Sequence, residues 1–148
     1  MFSFFKKKKF AYPTEPSWSV AQGEHNGRPL ILRRNESAAL LARHPDYTHR
    51  IGIAVPLVNP DENGFPGPEE NEELNAIEDF LAEILEKDND GLQVLTISTS
   101  GMREFVFYTR SPKAFASQWE TIKSRVQTHQ VQASMALDPK WDVFKHFH

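Results

Sequence analysis

LQVLTISTSGMREFVFYTR, residues 92–110, decides how the rest of the chain is laid out. Its arms carry Val94, Leu95, Thr96 and Ile97, then Phe105, Val106, Phe107, Tyr108 and Thr109. β-Branched and aromatic residues of this kind suit a pleated, packed surface. Between the arms, Thr99-Ser100-Gly101 supplies a turn, with glycine where a short hairpin loop needs positive φ. The stretch is read as a β-hairpin, 92–98 and 102–110. Side chains alternate along a strand, so Phe105 and Phe107 face one way and Met102, Val106 and Tyr108 the other. A strand apolar on both faces is expected near the centre of a sheet covered on both sides.

Working outward, Leu74, Ile77, Leu81, Ile84 and Leu85 recur at helical spacing and predict a helix over 69–87. Pro68 and the acids Glu69, Glu70, Glu72 and Glu73 suit its start. Ser111-Pro112 opens a second helix, 112–127, with Phe115, Trp119, Ile122 and Val126 on one face. HRIGIAVPL (49–57) and HQVQASMAL (129–137) read as strands. The first places Gly52 and Ala54 on one face, small enough to let something approach the sheet closely. The second is expected to turn Val131, Ala133, Met135 and Leu137 inward. The order β(49–57) α(69–87) β(92–98) β(102–110) α(112–127) β(129–137) is the split βαβ, or ferredoxin-like, arrangement of an α+β sandwich.

Upstream, SWSVAQ (17–22) and PLILRRN (29–35) flank His25-Asn26-Gly27, and Asn-Gly between β-like runs signals a hairpin. ESAALLAR (36–43) is expected to form a short helix before Pro45. The chain therefore divides into a flexible basic and aromatic arm, 1–16, and a single ferredoxin-like βαββαβ domain with an N-terminal β-hairpin extension, 17–148. Both helices cover one sheet face. The hairpin, the segment around Trp141 or a second copy of the chain is expected to cover the other.

Composition bounds the chemistry. The 148 residues are 39% hydrophobic and 25% charged, as in a globular domain, and contain no cysteine, which excludes disulfides and thiolate chemistry within this sequence. A net charge of −3 argues against a dedicated nucleic-acid binder. No run approaches the roughly 18–20 apolar residues of a membrane span, and MFSFFKKKKF lacks the order of a secretory signal. Its Phe and Lys residues are read as a solvated terminus rather than a membrane contact. Of the six histidines only His146 and His148 are closely spaced, so no metal site and no cofactor are expected. Phosphate loops and nucleophile elbows are absent from the sequence, and no catalytic residue is assigned.

Three functional readings remain. Twelve of the 20 acids fall between positions 61 and 90, and Glu72, Glu73 and Asp79 mark an acidic helix face suited to a protein partner with a basic surface. The loop 59–68 adjoins it. A second reading gathers Arg34, Asn35, Arg103, Glu104, Tyr108, Asp138 and Trp141 into a polar cleft around Arg103, for a small molecule or an unrecognised reaction. The structural alternative is that Arg103 or Arg34 locks Asp138 or Glu78. A third reading is RNA binding on the sheet face: Phe105-Val106-Phe107-Tyr108 is similar to the end of the RNP1 pattern, but Met102-Arg103-Glu104 lacks its glycine.

The W-x-V start at Trp18, LILRRN at 30–35, ELNAIEDFL at 73–81, TSGMREFVFYT at 99–109 and DPKWD at 138–142 resemble the bacterial domain-of-unknown-function family 695. That family brings no established activity. It is itself similar to the regulator of ribonuclease E activity B family, which inhibits an enzyme through protein contacts. The resemblance implies a cytoplasmic bacterial regulator. The lack of catalytic motifs favours a binding or inhibitory module over an enzyme, and the sheet face left open by the helices offers a homodimer as a further assembly.

Overall fold

A computed structural model of the chain describes residues 9–147. Six strands make one antiparallel sheet: β1 (Trp18–His25), β2 (Arg28–Asn35), β3 (His49–Pro56), β4 (Gly91–Thr99), β5 (Met102–Thr109) and β6 (Gln132–Leu137), in the order β1-β2-β4-β5-β3-β6. Three α-helices accompany it: α1 (Pro68–Leu85), α2 (Pro112–Arg125) and α3 (Asp142–His146). The protein is mixed α/β, and its sheet is not a simple ferredoxin sheet of four strands. The β1–β2 hairpin joins it through β2 and β4, from Leu30 opposite Thr99 to Arg34 opposite Leu95.

Both expected hairpins close with two residues. Asn26 and Gly27 have φ of 52° and 77°, and Ser100 and Gly101 have 54° and 77°. Positive φ at both positions defines the turn whose twist matches that of the flanking strands. In β4 a bulge falls between Gln93, opposite Phe107, and Leu95, opposite Val106. The extra residue lets Leu92, Val94 and Leu95 share one apolar cluster while Gln93 and Thr96 reach Glu78 on α1.

The helix-side core packs Leu74, Ile77, Leu81 and Leu85 of α1 and Phe115 and Ile122 of α2 over Ile51, Ile53, Val55, Phe105 and Phe107. The opposite cluster packs Leu32, Leu92, Val94, Leu95, Val106 and Tyr108 against Ala38, Leu41, Tyr47, Trp141 and Phe144. β5 is thus buried on both faces, as its sequence predicts. Over β2, β4 and β5 the chain supplies its own cover through residues 38–47 and the C-terminal segment. The hairpin, also expected as a cover, extends the sheet edge instead.

Other expectations are corrected. ESAALLAR forms a 3-10 turn, Glu36–Leu40, rather than a helix over 36–43. The Ala11 N–H takes the Leu40 carbonyl at 3.0 Å, an acceptor a longer helix would use itself. α1 ends at Leu85, because Asp88 and Asn89 adopt φ of 57° and 59°. Met135 and Leu137 are not inward but 39% and 69% exposed, since β6 is an edge strand. The DPKWD segment turns at Trp141 (φ 57°) and enters α3. The predicted arm falls partly outside the described residues, as does His148. Phe10, Ala11 and Tyr12 of the lead-in lie against the body: the Phe10 ring meets His44 at 4.7 Å, and the Tyr12 hydroxyl donates to the Gly91 carbonyl at 2.7 Å.

Candidate functional site: a polar trough beside α1

On the helix side, α1 packs against β4 and β5, and a trough of about 660 Å³ opens between it and β2. That is the size of ordinary small-ligand clefts. Strand alternation builds its floor. Ile31, Ser98 and Arg103 lie in one cross-strand row, and Arg33 and Thr96 in the next. Asn71, Asn75, Glu78 and Asp79 form the α1 wall, spaced to share one helix face. Phe65 and Pro66 of the preceding loop close the end.

Glu78 is the hub. Its carboxylate accepts from Arg33 Nη1 at 3.1 and 3.0 Å, from Gln93 Nε2 at 2.7 Å and from Thr96 Oγ1 at 2.8 Å. Arg33 also lies 4.8 Å over the Trp18 ring. Beyond this pair a second compartment of about 350 Å³ is lined by Tyr12, Trp18, Asn35 and Glu86 among others. Burial raises the pKa of Glu86, against the opposing hydrogen bond from the Gln93 N–H.

Arg103 is arranged differently. Its Nε donates to Ser98 Oγ at 3.0 Å and its Nη2 to Asn71 Oδ1 at 3.1 Å, both neutral acceptors. Among the described residues no carboxylate stands within ion-pair distance of it. Burial pulls its pKa down, the Glu78 charge opposes this, and Arg33 adds to the fall.

The loop that carries Phe65 is pinned at both ends. The buried Glu70 carboxylate accepts from the N–H of Val58 at 2.6 Å, the N–H of Asn59 at 3.1 Å and His129 Nε2 at 2.7 Å. At the other end Gly64, with φ of 86°, accepts from the Gly101 N–H at 3.1 Å. A Cβ at Gly64 would stand 2.8 Å from that nitrogen. Gly64→Ala is therefore expected to cost about 1–3 kcal/mol and to speed hydrogen exchange at the Gly101 amide. Unchanged stability and exchange would show that the loop is not held there.

The residues singled out from sequence occupy several places. Arg103 lies in the trough, and Asn35, whose amide donates to the Gln93 carbonyl at 3.0 Å, lies in the adjoining compartment. Arg34 is on the opposite sheet face, paired with Glu36 and 3.8 Å over the Phe144 ring. Glu104 lies across Gly52, whose missing Cβ makes the space; burial raises its pKa and Arg50 opposes the rise. Tyr108, Asp138 and Trp141 form one cluster. Tyr108 stacks 4.0 Å from Trp141 and donates to Asp138 at 2.7 Å. Burial and then the Asp138 hydrogen bond push the Tyr108 hydroxyl above its ordinary range. Asp138 also accepts from the Asp142 N–H at 2.9 Å and has Arg50 3.5 Å away. The two acids named as candidate locks, Glu78 and Asp138, are locked, but by Arg33 and Arg50 rather than Arg34 or Arg103.

Phe105 and Phe107, the aromatics similar to RNP1, are buried under the helices and unavailable for base stacking. Glu72 and Asp79 are exposed on one line of α1, with Glu73 half-buried beside them. Glu78, Gln93, Thr96, Asn71 and Asn75 were not singled out as a site. The sequence signal for them is the alternation of polar Thr96 and Ser98 with Leu95 and Ile97, which marks a strand whose helix-side face is wet. Among the described residues no group of three or more His, Asp or Glu side chains could hold a metal, and no helix is long and apolar enough to cross a membrane.

The fold and trough define a mixed α/β protein with one widened antiparallel sheet and an open polar cleft at its helix side. By sequence the chain belongs to the Family of unknown function (DUF695), which it matches over residues 16–148. The comparisons with curated proteins and with solved structures give no match.

Proposed function

We propose that the protein is a non-catalytic binding module that presents the acidic ridge of α1, the loop 59–68 and the trough beside them to a protein partner with a basic surface. One observation carries this reading. Glu70, Glu78 and Glu86 of the α1 region take internal partners, whereas Glu72, Glu73 and Asp79 enter none of the ion pairs among the described residues. Unspent negative charge along the rim of a cleft favours association with a cationic surface.

The finer assignments go with this reading. The run β4-β5-β3-β6 within the sheet supports a ferredoxin-like core to which β1 and β2 are added. Kinship to the regulator of ribonuclease E activity B family and the role of a cytoplasmic bacterial regulator rest on the sequence resemblance alone.

The Lys triple variant at Glu72, Glu73 and Asp79 is expected to lose partner capture from host lysate while its stability changes little, since surface substitutions usually fall within about 0.5 kcal/mol each. Wild-type capture should weaken as salt is raised and survive nuclease treatment. Capture unchanged by the triple reversal, or lost on nuclease treatment, would overturn the proposal.

A further inference from the structure

We propose that Arg103 anchors a carboxylate-binding site at the floor of the trough; the proposal rests on the reading of the α1 side as the binding face and names the chemical group that enters it. A half-buried guanidinium ordinarily recovers its lost hydration from a carboxylate. Arg103 has only the neutral oxygens of Ser98 and Asn71, and its Nη1 forms no hydrogen bond within the described residues. Arg33, the neighbouring cation, already shares Glu78. The floor therefore holds a satisfied Arg33–Glu78 pair beside an Arg103 that no carboxylate reaches, and a monoanion at Arg103 supplies that partner.

The surrounding groups favour a planar carboxylate. Asn71 spends its Oδ1 on Arg103 and keeps its Nδ2–H₂ to donate, and Asn75 stands one turn further along the same wall. An arginine fork and side-chain amides match the two in-plane oxygens of a carboxylate. Glu78 and Asp79 in the same wall repel a phosphate dianion about twice as strongly as a monoanion. The carboxylate belongs either to a small acid or to the free C-terminus of a chain. In the second case basic residues upstream would lie along Glu72 and Asp79.

The test is an NMR titration of ¹⁵N-labelled protein. The probes are N-acetylglycine, inorganic phosphate, and an N-acetylated lysine-lysine-glycine peptide with a free or an amidated C-terminus. Saturable shifts of the Arg103 Nε–H and of the Asn71 and Asn75 amides are expected with N-acetylglycine and with the free-acid peptide. At least a tenfold loss is expected with the amidated peptide, and the shifts should vanish in Arg103→Gln. Should that variant fail to fold, Asn75→Ala, at an exposed position, is expected to weaken the same binding several-fold. A salt-sensitive preference for the free-acid peptide over N-acetylglycine would assign the site to a chain terminus, and equal binding to a small acid; both support the proposal. Phosphate binding as tight as N-acetylglycine, equal binding of acid and amide, or no saturable shift would overturn it. Failure here with salt-sensitive partner capture intact would remove the Arg103 site alone. Carboxylate binding without such capture would remove the ridge alone.

Discussion

Trp141→Ala is expected to lower the unfolding free energy by about 3–5 kcal/mol, the range for truncating a fully buried large aromatic. Trp141 is 0% exposed. Its ring stacks 4.0 Å from Tyr108 at 7° and meets Phe144 edge-on at 5.6 Å. Its Nε1–H donates to the Tyr47 carbonyl at 2.8 Å, so truncation also strands a buried acceptor. The same residue turns the chain into α3 through its positive φ. The lost energy would thus release the C-terminal segment from β4 and β5 and expose an apolar sheet face. The measurement is the denaturant midpoint with the slope compared alongside. A shift worth under about 1 kcal/mol would mean that this segment is not an integral part of the core.

Glu70→Ala is expected to cost about 3 kcal/mol, because it leaves two backbone N–H groups and His129 without their buried acceptor. Its effect should depend on pH in a definite direction. Burial pushes the Glu70 pKa up, but the Val58 N–H, His129 and the Asn59 N–H together hold it below the ordinary 4.5. A depressed carboxylate contributes stability that is fully present above its unfolded pKa and is lost as pH falls through the folded one. Wild type and Glu70→Gln should therefore differ most above pH 4.5 and converge below it. Asp138 is depressed below its ordinary 3.8 by Tyr108 and the Asp142 and Val143 N–H groups against the cost of burial, and its acid limb remains in both proteins. Unfolding curves at several pH values read this directly. A gap that is constant or widens toward acid would contradict the assignment of Glu70 as an ionised acceptor.

The parts of the fold legible in the sequence are those set by local chemistry. Thr99-Ser100-Gly101 and Asn26-Gly27 announce hairpin turns, and the alternation in 102–110 announces a doubly buried strand. The 3.6-residue stripe through Leu74, Ile77 and Leu81 announces α1. What escaped reading depends on partners distant in sequence. Nothing local says that β2 pairs with β4, some 60 residues away, or that one bulge at Gln93–Leu95 divides the side chains of β4 between two faces. Once that register is known, Arg33 rather than Arg34 must face Glu78, because adjacent strand residues point to opposite faces. The same one-residue logic separates Arg103 from Glu104 and splits the predicted cleft in two. The Trp141 segment is legible as a candidate cover for the second sheet face, but its turn into α3 through a left-handed backbone carries no local signal.

The central claim is that the α1 ridge and the trough form one binding face. Hydrogen exchange on the protein with and without its captured partner tests this most directly. The account predicts slowed exchange across 59–83 and at the Thr96–Ser98 stretch of β4, with the β6 edge unchanged. Slowing confined to β6 or to the α3 segment, with α1 and its loop unaffected, would contradict it.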